Sequence, residues 1–258
     1  GAASAIGTAY VAKAQPDGYT LLMTTNSAMV ILPLTQASGS LNYTPDDLKM
    51  IGLTGILPNI LIVSPKVPAQ STAELIAYAK SNPGQLSFAS SGNGTITHLI
   101  GELFKGLAGV SYAHIPYKGG GPAVIDTLSG QIQFTFATAA SVIGHVRSNR
   151  LRALAVTSAQ RSPSLPELPT VAEAALPGFE ATTWHGIVVP AKTPEAVIKT
   201  LREATKKAVE DADFKTSMAR VNSPINYLDA PEFAKYWAAD AKRLAEVVKA
   251  IGKVEEQK

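Results

Sequence analysis

The chain has 258 residues, of which 46% are hydrophobic and 17% charged, with a formal net charge of +3. This is too apolar and too weakly charged for a disordered chain, and at ~100–200 residues per domain it allows one large domain or two small ones. The slight basic excess is not clustered, so there is no nucleic-acid footprint. The lack of cysteine excludes disulfides and thiolate chemistry. No apolar run approaches the ~20 residues of a membrane span.

The opening residues Gly1 to Gly7 carry neither a basic start nor a long apolar stretch. The chain therefore reads as cytoplasmic or as one whose leader has been processed. Gly1 to Ala14 reads as a small-residue helix, closed by the turn Pro16-Asp17-Gly18, and Tyr19 to Thr25 as a strand. The longest apolar stretch, Ile51 to Val63, is interrupted by Gly52, Gly55 and Pro58, and a strand is predicted over Ile56 to Val63. Ser71 and Glu74 form a capping box for a helix that ends at Asn82-Pro83-Gly84. Strand and helix then alternate: strand Leu86 to Ser90, loop Ser91 to Gly94, helix Thr95 to Leu107, strand Ser111 to Ile115. A glycine loop leads into a short helix to Leu128, followed by strand Ile132 to Phe136, helix Ala139 to Arg147 and strand Leu151 to Thr157. Arg161 to Leu176 reads as a loop with a short helix, and Trp184 to Val189 as a strand. Thr193 as N-cap with Pro194 at the first position opens a helix to Glu210. Asp229 and Glu232 open a last helix to about Ile251. The pattern is α/β.

Catalytic signatures are missing. His98, His114, His145 and His185 are scattered, with no metal-binding helical pair; Ser90-Ser91-Gly92 lacks the first glycine of a nucleophile elbow; Gly92-Asn93-Gly94 opens a dinucleotide-like pattern that ends in Thr97. No catalytic residue, metal or cofactor is expected.

Two segments share one design. Ser90-Ser91-Gly92-Asn93-Gly94-Thr95-Ile96-Thr97 joins a strand to a helix N-terminus, and Lys118-Gly119-Gly120-Gly121-Pro122 does the same one unit later. Helix N-termini offer free amides and partial positive charge, small residues let an anion approach, and hydroxyls add donors. At neighbouring strand ends the two loops would form a carboxylate or phosphate pocket; each also reads simply as a tight turn, and Ser91 or Thr95 as a plain helix cap. Trp184 reads either as the wall of a ligand pocket or as a core side chain. Trp237, with Phe233 and Leu244, reads as packing, His98 as a packing or capping residue, and Lys118 as a surface side chain. Asn26 and Ser27, after the first strand, make a third polar strand end.

Taken in order, Pro16 to Leu22, Ser91 to Gly94 with His98-Leu99, Pro116 to Gly119, Leu151 to Ser158, Leu168 to Val171, and Trp184 to Ile187 with Pro190 to Pro194 form a set. With this set the chain resembles the Bug-type extracytoplasmic receptors of tripartite tricarboxylate transporters, from Ala9 nearly to the C-terminus. The resemblance implies a type II periplasmic-binding-protein fold, with two lobes closing over a ligand in a cleft. Lobe 1 would hold 1–63 and 187–258, and lobe 2 would hold 64–186. It implies a periplasmic, monomeric receptor for a small carboxylate (a dicarboxylate, a citrate-like or an aromatic acid), delivered to membrane subunits. Nucleic acid and membrane insertion are not expected. By position, Ser90, Ser91, Asn93, Gly94, Thr95 and Thr97 match the family's carboxylate loop, and Tyr117 with Gly119, Gly120 and Gly121 its second anion loop. Thr138 lies at a strand end on the cleft, and Trp184 and His185 match an aromatic-plus-polar position; Asn26 and Ser27 complete the set. Ala137 stands where members often carry Asp, which favours a plain carboxylic acid over an amino acid. Relative to the family pattern, a first strand, Gly-rich loop and helix would precede residue 1. A lobe without them would expose an apolar edge open to dimerisation. The other readings are an α/β enzyme acting on small organic acids and the ligand-sensing domain of a regulator.

Overall fold

The structure, a computed structural model, describes residues 2–37 and 39–251. The described residues divide into two compact units, one holding residues up to 56 together with those from 184 to 251, the other holding 57–183. It passes between them inside two strands, β2 (Leu48–Val63) and β7 (Thr182–Pro190).

Unit 1 begins with α1 (Ala5–Ala12) and β1 (Leu22–Thr25), then a wide helical turn over Ser27–Ile31 that runs into α2 (Leu32–Thr35). After β7 come α8 (Glu195–Glu210), α9 (Ala212–Arg220), β8 (Leu228–Asp229) and α10 (Ala230–Ile251). β1 pairs antiparallel with β7, Thr25 opposite His185, and β8 pairs antiparallel with β2, Gly52 opposite Asp229. Gly186 lets Phe233 of α10 lie on β7, since a Cβ there would stand 2.4 Å from the ring. Trp184 meets the same ring edge-on at 5.2 Å. Its indole N–H donates to Asp240 of α10 at 2.8 Å. On the outside of this unit Tyr19 is 91% exposed, with Ile6, Tyr10 and Met23 also exposed.

Unit 2 holds α3 (Thr72–Ser81), β3 (Ser87–Ser90), α4 (Ile96–Ala108), β4 (Ala113–Pro116), α5 (Gly120–Ser129), β5 (Phe134–Thr138), α6 (Ala139–Arg147), β6 (Arg152–Val156) and α7 (Val171–Ala174). β3 runs parallel to β4 and to β5, while β2 is antiparallel to β5 and β6. Phe88, Phe104, Phe134, Phe136 and Phe179 are fully buried on this sheet. Because β3, β4 and β5 are parallel and each is followed by a helix, the N-termini of α4, α5 and α6 gather at one sheet edge, the usual place for ligands in α/β sheets.

The α/β alternation expected from the sequence is present, with local differences. β2 is sixteen residues long and runs through Gly52, Gly55 and Pro58 rather than starting at Ile56. Gly52 tolerates this because β8 pairs there and Tyr227 packs 3.2 Å from where its Cβ would be. At Ser71 the hydroxyl accepts from Glu74 N–H at 3.2 Å, but Glu74 reaches back to Gln70 N–H at 2.8 Å, not to the cap itself. Thr193 does not cap α8: its hydroxyl donates to Pro190 O at 2.7 Å, and the helix starts at Glu195 after Pro194. Helix α9, capped by Asp211 at 2.9 Å from Phe214 N, was not predicted.

Asp229 both accepts from Ala230 N–H at 2.9 Å and binds Arg202 through both carboxylate oxygens. Arg202, opposed by desolvation, holds its carboxyl down at about 2, against an ordinary 3.8. A depressed folded-state value means the contribution is present above the ordinary carboxylate range and fades as pH falls from about 4 toward about 2. The pair is more than a third exposed on the acid side, so water screens it and the effect is small. Asp229→Asn should therefore melt below the natural protein at pH 7 and converge with it near pH 2, read by paired thermal melts. A gap unchanged across that range would contradict the assignment.

Candidate functional site

The site-bearing residues fall into two groups, one in each unit. In unit 2 the chain leaves β3 at Ser90 and turns through Gly92 and Gly94, both with positive φ, before Thr95 caps α4. A side chain at Gly92 would meet Tyr117 O at 3.1 Å, so glycine is needed for the close approach of the next loop as well as for its φ of 132°. The second loop is tied to the first by Tyr117 N–H to Ser90 O at 3.0 Å and Gly119 N–H to Ser91 O at 3.1 Å.

Within the first loop most donors are already engaged. Ser91 N–H donates to Thr97 Oγ1 at 3.0 Å, Gly92 N–H to Ser90 Oγ at 3.1 Å, Gly94 N–H to His98 Nδ1 at 3.3 Å and Thr95 N–H to Gly92 O at 3.2 Å. The Thr95 hydroxyl donates to Gly92 O at 2.6 Å, its proton thereby committed. Thr97 Oγ1 sits 3.0 Å from Thr95 Oγ1 and 2.7 Å from Ser91 Oγ. With Thr95 able only to accept there, Thr97 donates either to Thr95 or to Ser91. In the second arrangement the Ser91 proton is free to turn toward an anion.

The structure thus sorts the predicted residues. Ser90 is 0% exposed, and Gly94, Thr95 and Thr97 are buried, each with a polar group hydrogen-bonded within the loop or to the histidines beneath it. Ser91 is half-buried and Asn93 exposed. Gly120 and Gly121 open α5 with nothing within 4 Å of where a Cβ would be, which leaves its N-terminal backbone approachable. Tyr117 is half-buried, its hydroxyl donating to Asp126 of α5; desolvation and that carboxylate push it up to about 12. Thr138 ends β5 at the same edge, its carbonyl accepting from the Ser141 hydroxyl at 2.7 Å.

In unit 1, Asn26 and Ser27 follow β1 and are buried. The pairing of Thr25 with His185 brings His185 to their strand end. Burial lowers the His185 imidazole below its ordinary value, so it is neutral at pH 7. Trp184 is entirely buried, its N–H held by Asp240 and its face by Phe233, so the structure describes a core side chain and not a ligand wall.

Asn59 was missed. It faces Thr138 in the β2–β5 register at the same edge, fully buried, with Nδ2 donating to Thr183 Oγ1 at 3.0 Å and its N–H to Thr157 Oγ1 at 2.9 Å. Its Oδ1 has no partner among the described residues. The available signal was an asparagine inside the otherwise apolar stretch Ile56 to Val63.

Ser90 Oγ lies 2.6 Å from His114 Nε2, the distance of a nucleophile and its base. Ser90 is wholly buried, however, and His114 is backed by aromatic rings: Phe88 at 5.6 Å and His98 at 4.0 Å. No group of three or more His, Asp or Glu side chains among the described residues could hold a metal. The arrangement brings hydroxyl, amide and helix-terminal donors to one sheet edge of an α/β unit.

Comparison with known proteins agrees. The family model for the tripartite tricarboxylate transporter family receptor matches residues 1–253. The UPF0065 protein in the tcbD–tcbE intergenic region of Pseudomonas sp. (strain P51) is 37% identical over 83% of this chain and 63% of its own length. Protein BugT of Bordetella pertussis (strain Tohama I) is 35% identical over 98% of this chain and 77% of its own. Among solved structures, R. palustris Rpa4515 with adipate has a TM-score of 0.92 at 29% identity, covering 98% of this chain and 84% of that one. The periplasmic binding protein BugD has a TM-score of 0.90 at 31% identity, covering 98% and 85%. MatC from Rhodopseudomonas palustris with bound malate gives 0.86 at 26%, covering 96% and 84%. The chain belongs to the tripartite tricarboxylate transporter receptor family, a family of solute-binding receptors rather than enzymes.

Proposed function

We propose that the protein is a periplasmic receptor that captures a small carboxylate by closure of its two units and delivers it to the membrane subunits of a tripartite tricarboxylate transporter, acting as a monomer. The reading is carried by the two hydrogen-bonded loops of unit 2, which place Ser91, Asn93, Tyr117 and the Gly119–Gly121 backbone beside Thr138 at one sheet edge. Asn26, Ser27 and His185 are the contribution of unit 1. A carboxylate is favoured over a cation because the N-termini of α4 and α5 and the donor groups of Ser91 and Asn93 lie at this edge. A dicarboxylate is supported by the adipate and malate bound to the two related proteins. Ala137, buried and apolar, supplies no carboxylate for a ligand ammonium group, which argues against an amino acid. Closure follows if the ligand gains contacts from both units only in the closed state.

A thermal-shift screen of adipate, malate, citrate, benzoate, aspartate and phosphate tests this. One carboxylate class should raise the melting temperature by mass action. In calorimetry Ser91→Ala should weaken that ligand about tenfold, the effect of one lost hydrogen bond to a charged group. A folded protein that responds to none of the acids retires the reading.

A further inference from the structure

His98 and His114 lie beneath the Ser90–Thr97 loop, their rings stacked at 4.0 Å and only 10° from parallel. Each has a nitrogen on the loop. His98 Nδ1 faces the Gly94 amide at 3.3 Å, and since an amide only donates, that nitrogen must be unprotonated. Its proton is therefore on Nε2. Ser90 Oγ accepts from Gly92 N–H, and because the residue is wholly buried its own proton needs a protein acceptor; among the hydrogen bonds described the one within reach is His114 Nε2, 2.6 Å away. That places the His114 proton on Nδ1.

We propose that His98 and His114 are positioning residues of this loop: neutral rings in opposite tautomers, accepting Gly94 N–H and Ser90 O–H, which withdraw those two donors from the ligand and leave Ser91 and Asn93 as its outward polar groups. Anion recognition at the loop then rests on neutral donors, although two imidazoles lie directly under it. The assignment of tautomers stands on the loop geometry alone; the ligand consequence rests on the receptor reading above.

The surroundings keep the rings neutral. His98 is buried, and burial, with Lys105 adding, holds it down at about 4; His114 is held at about 3 by burial, His98 and Lys105. The charged groups facing the pair are Glu102 and Lys105 of α4. Glu102 stands 3.9 Å from His98 Nε2, beyond hydrogen-bond range, and lies 3.9 Å from Lys105. From β3 the pair meets Phe88 and Ser90 among the ring and hydrogen-bond contacts described, and the Lys105 ammonium lies over the Tyr112 ring at 5.7 Å. A proton added to His98 Nδ1 would set donor against donor at Gly94 and place charge against the stacked ring.

The test is nitrogen-15 NMR of the full chain without ligand. Long-range correlation spectra at pH 7 should show one protonated nitrogen per ring, Nε2 in His98 and Nδ1 in His114, assigned with His98→Asn and His114→Asn. On acidification the Gly94 amide should shift together with the His98 ring, with a midpoint about 4. A doubly protonated ring at pH 7, the same tautomer in both, or a Gly94 amide that stays still while His98 titrates overturns the proposal. With adipate as probe, His98→Asn keeps an acceptor at the δ position and should stay within about threefold of the natural affinity, whereas His98→Leu should lose about tenfold or more. Equal loss in both, with both folded, also overturns it. If the natural protein binds none of the acids, the receptor reading fails, and the tautomers and the Gly94 titration still decide this proposal.

Discussion

Phe88→Ala is expected to destabilise the protein by about 3–5 kcal/mol, the range for deleting a buried aromatic ring. Phe88 is fully buried on β3, and its ring is surrounded by Phe134 at 5.4 Å, His114 at 5.6 Å, Tyr112 at 5.8 Å and Phe136 at 5.9 Å. The ring fits because α4 presents Gly101 to it: a Cβ there would lie 2.1 Å from Phe88 Cε1. Gly101→Ala alone should therefore lose stability by about 1–3 kcal/mol through overpacking, although alanine is the better helix former by about 1 kcal/mol. The same Gly101→Ala change in the Phe88→Ala background should be neutral or stabilising, since the clash is gone and the propensity gain remains. Urea titrations of the four proteins give the cycle. Additive penalties would mean that the ring and the glycine do not share this space.

Asp240→Ala is expected to cost about 3 kcal/mol, while Asp240→Asn costs less. The Asp240 carboxylate is 3% exposed, and its two oxygens serve two partners: Trp184 Nε1 at 2.8 Å and Arg243 at 2.5 Å. Alanine leaves a fully buried indole N–H without its acceptor and removes the charge that Arg243 faces; both belong to the substitutions with large penalties. Asparagine retains an oxygen for the indole and loses only the charge. Trp184 itself reports the change: in a Trp237→Phe background it is the sole tryptophan, and its emission should shift to longer wavelength in Asp240→Ala as water reaches β7. Identical urea midpoints for Asp240→Ala and the natural protein would show that the anchor has no energetic weight.

Much of the architecture was legible in local signals, because those signals act within a few residues. Ser71 before Glu74 stops the chain entering α3 too early, Gly109 and Gly130 take the left-handed conformations that end α4 and α5, and Thr95 caps α4 with its own side chain. The strand–loop–helix repeats around Ser90 and Tyr117 are of this kind.

What the sequence could not carry are outcomes of residues distant along the chain. Whether Trp184 faces a ligand or the core depends on Asp240 and Phe233, about fifty residues further on, which take its polar edge and its face. Thr193 has the residue type of a cap, yet its hydroxyl turned to Pro190. The glycines and proline of β2 looked like breaks, and pairing with β8 and the neighbouring strands carried the strand through them. The loop hydroxyls were alike in the sequence. In the fold, His114 and His98 arrive from the next strand and the next helix turn to take Ser90 and Gly94, so only Ser91 and Asn93 remain outward. Local chemistry marked most helix ends and turns; strand pairing decided where β2 runs, and the direction in which each polar group points is settled by whichever partner the packing brings within 3 Å of it.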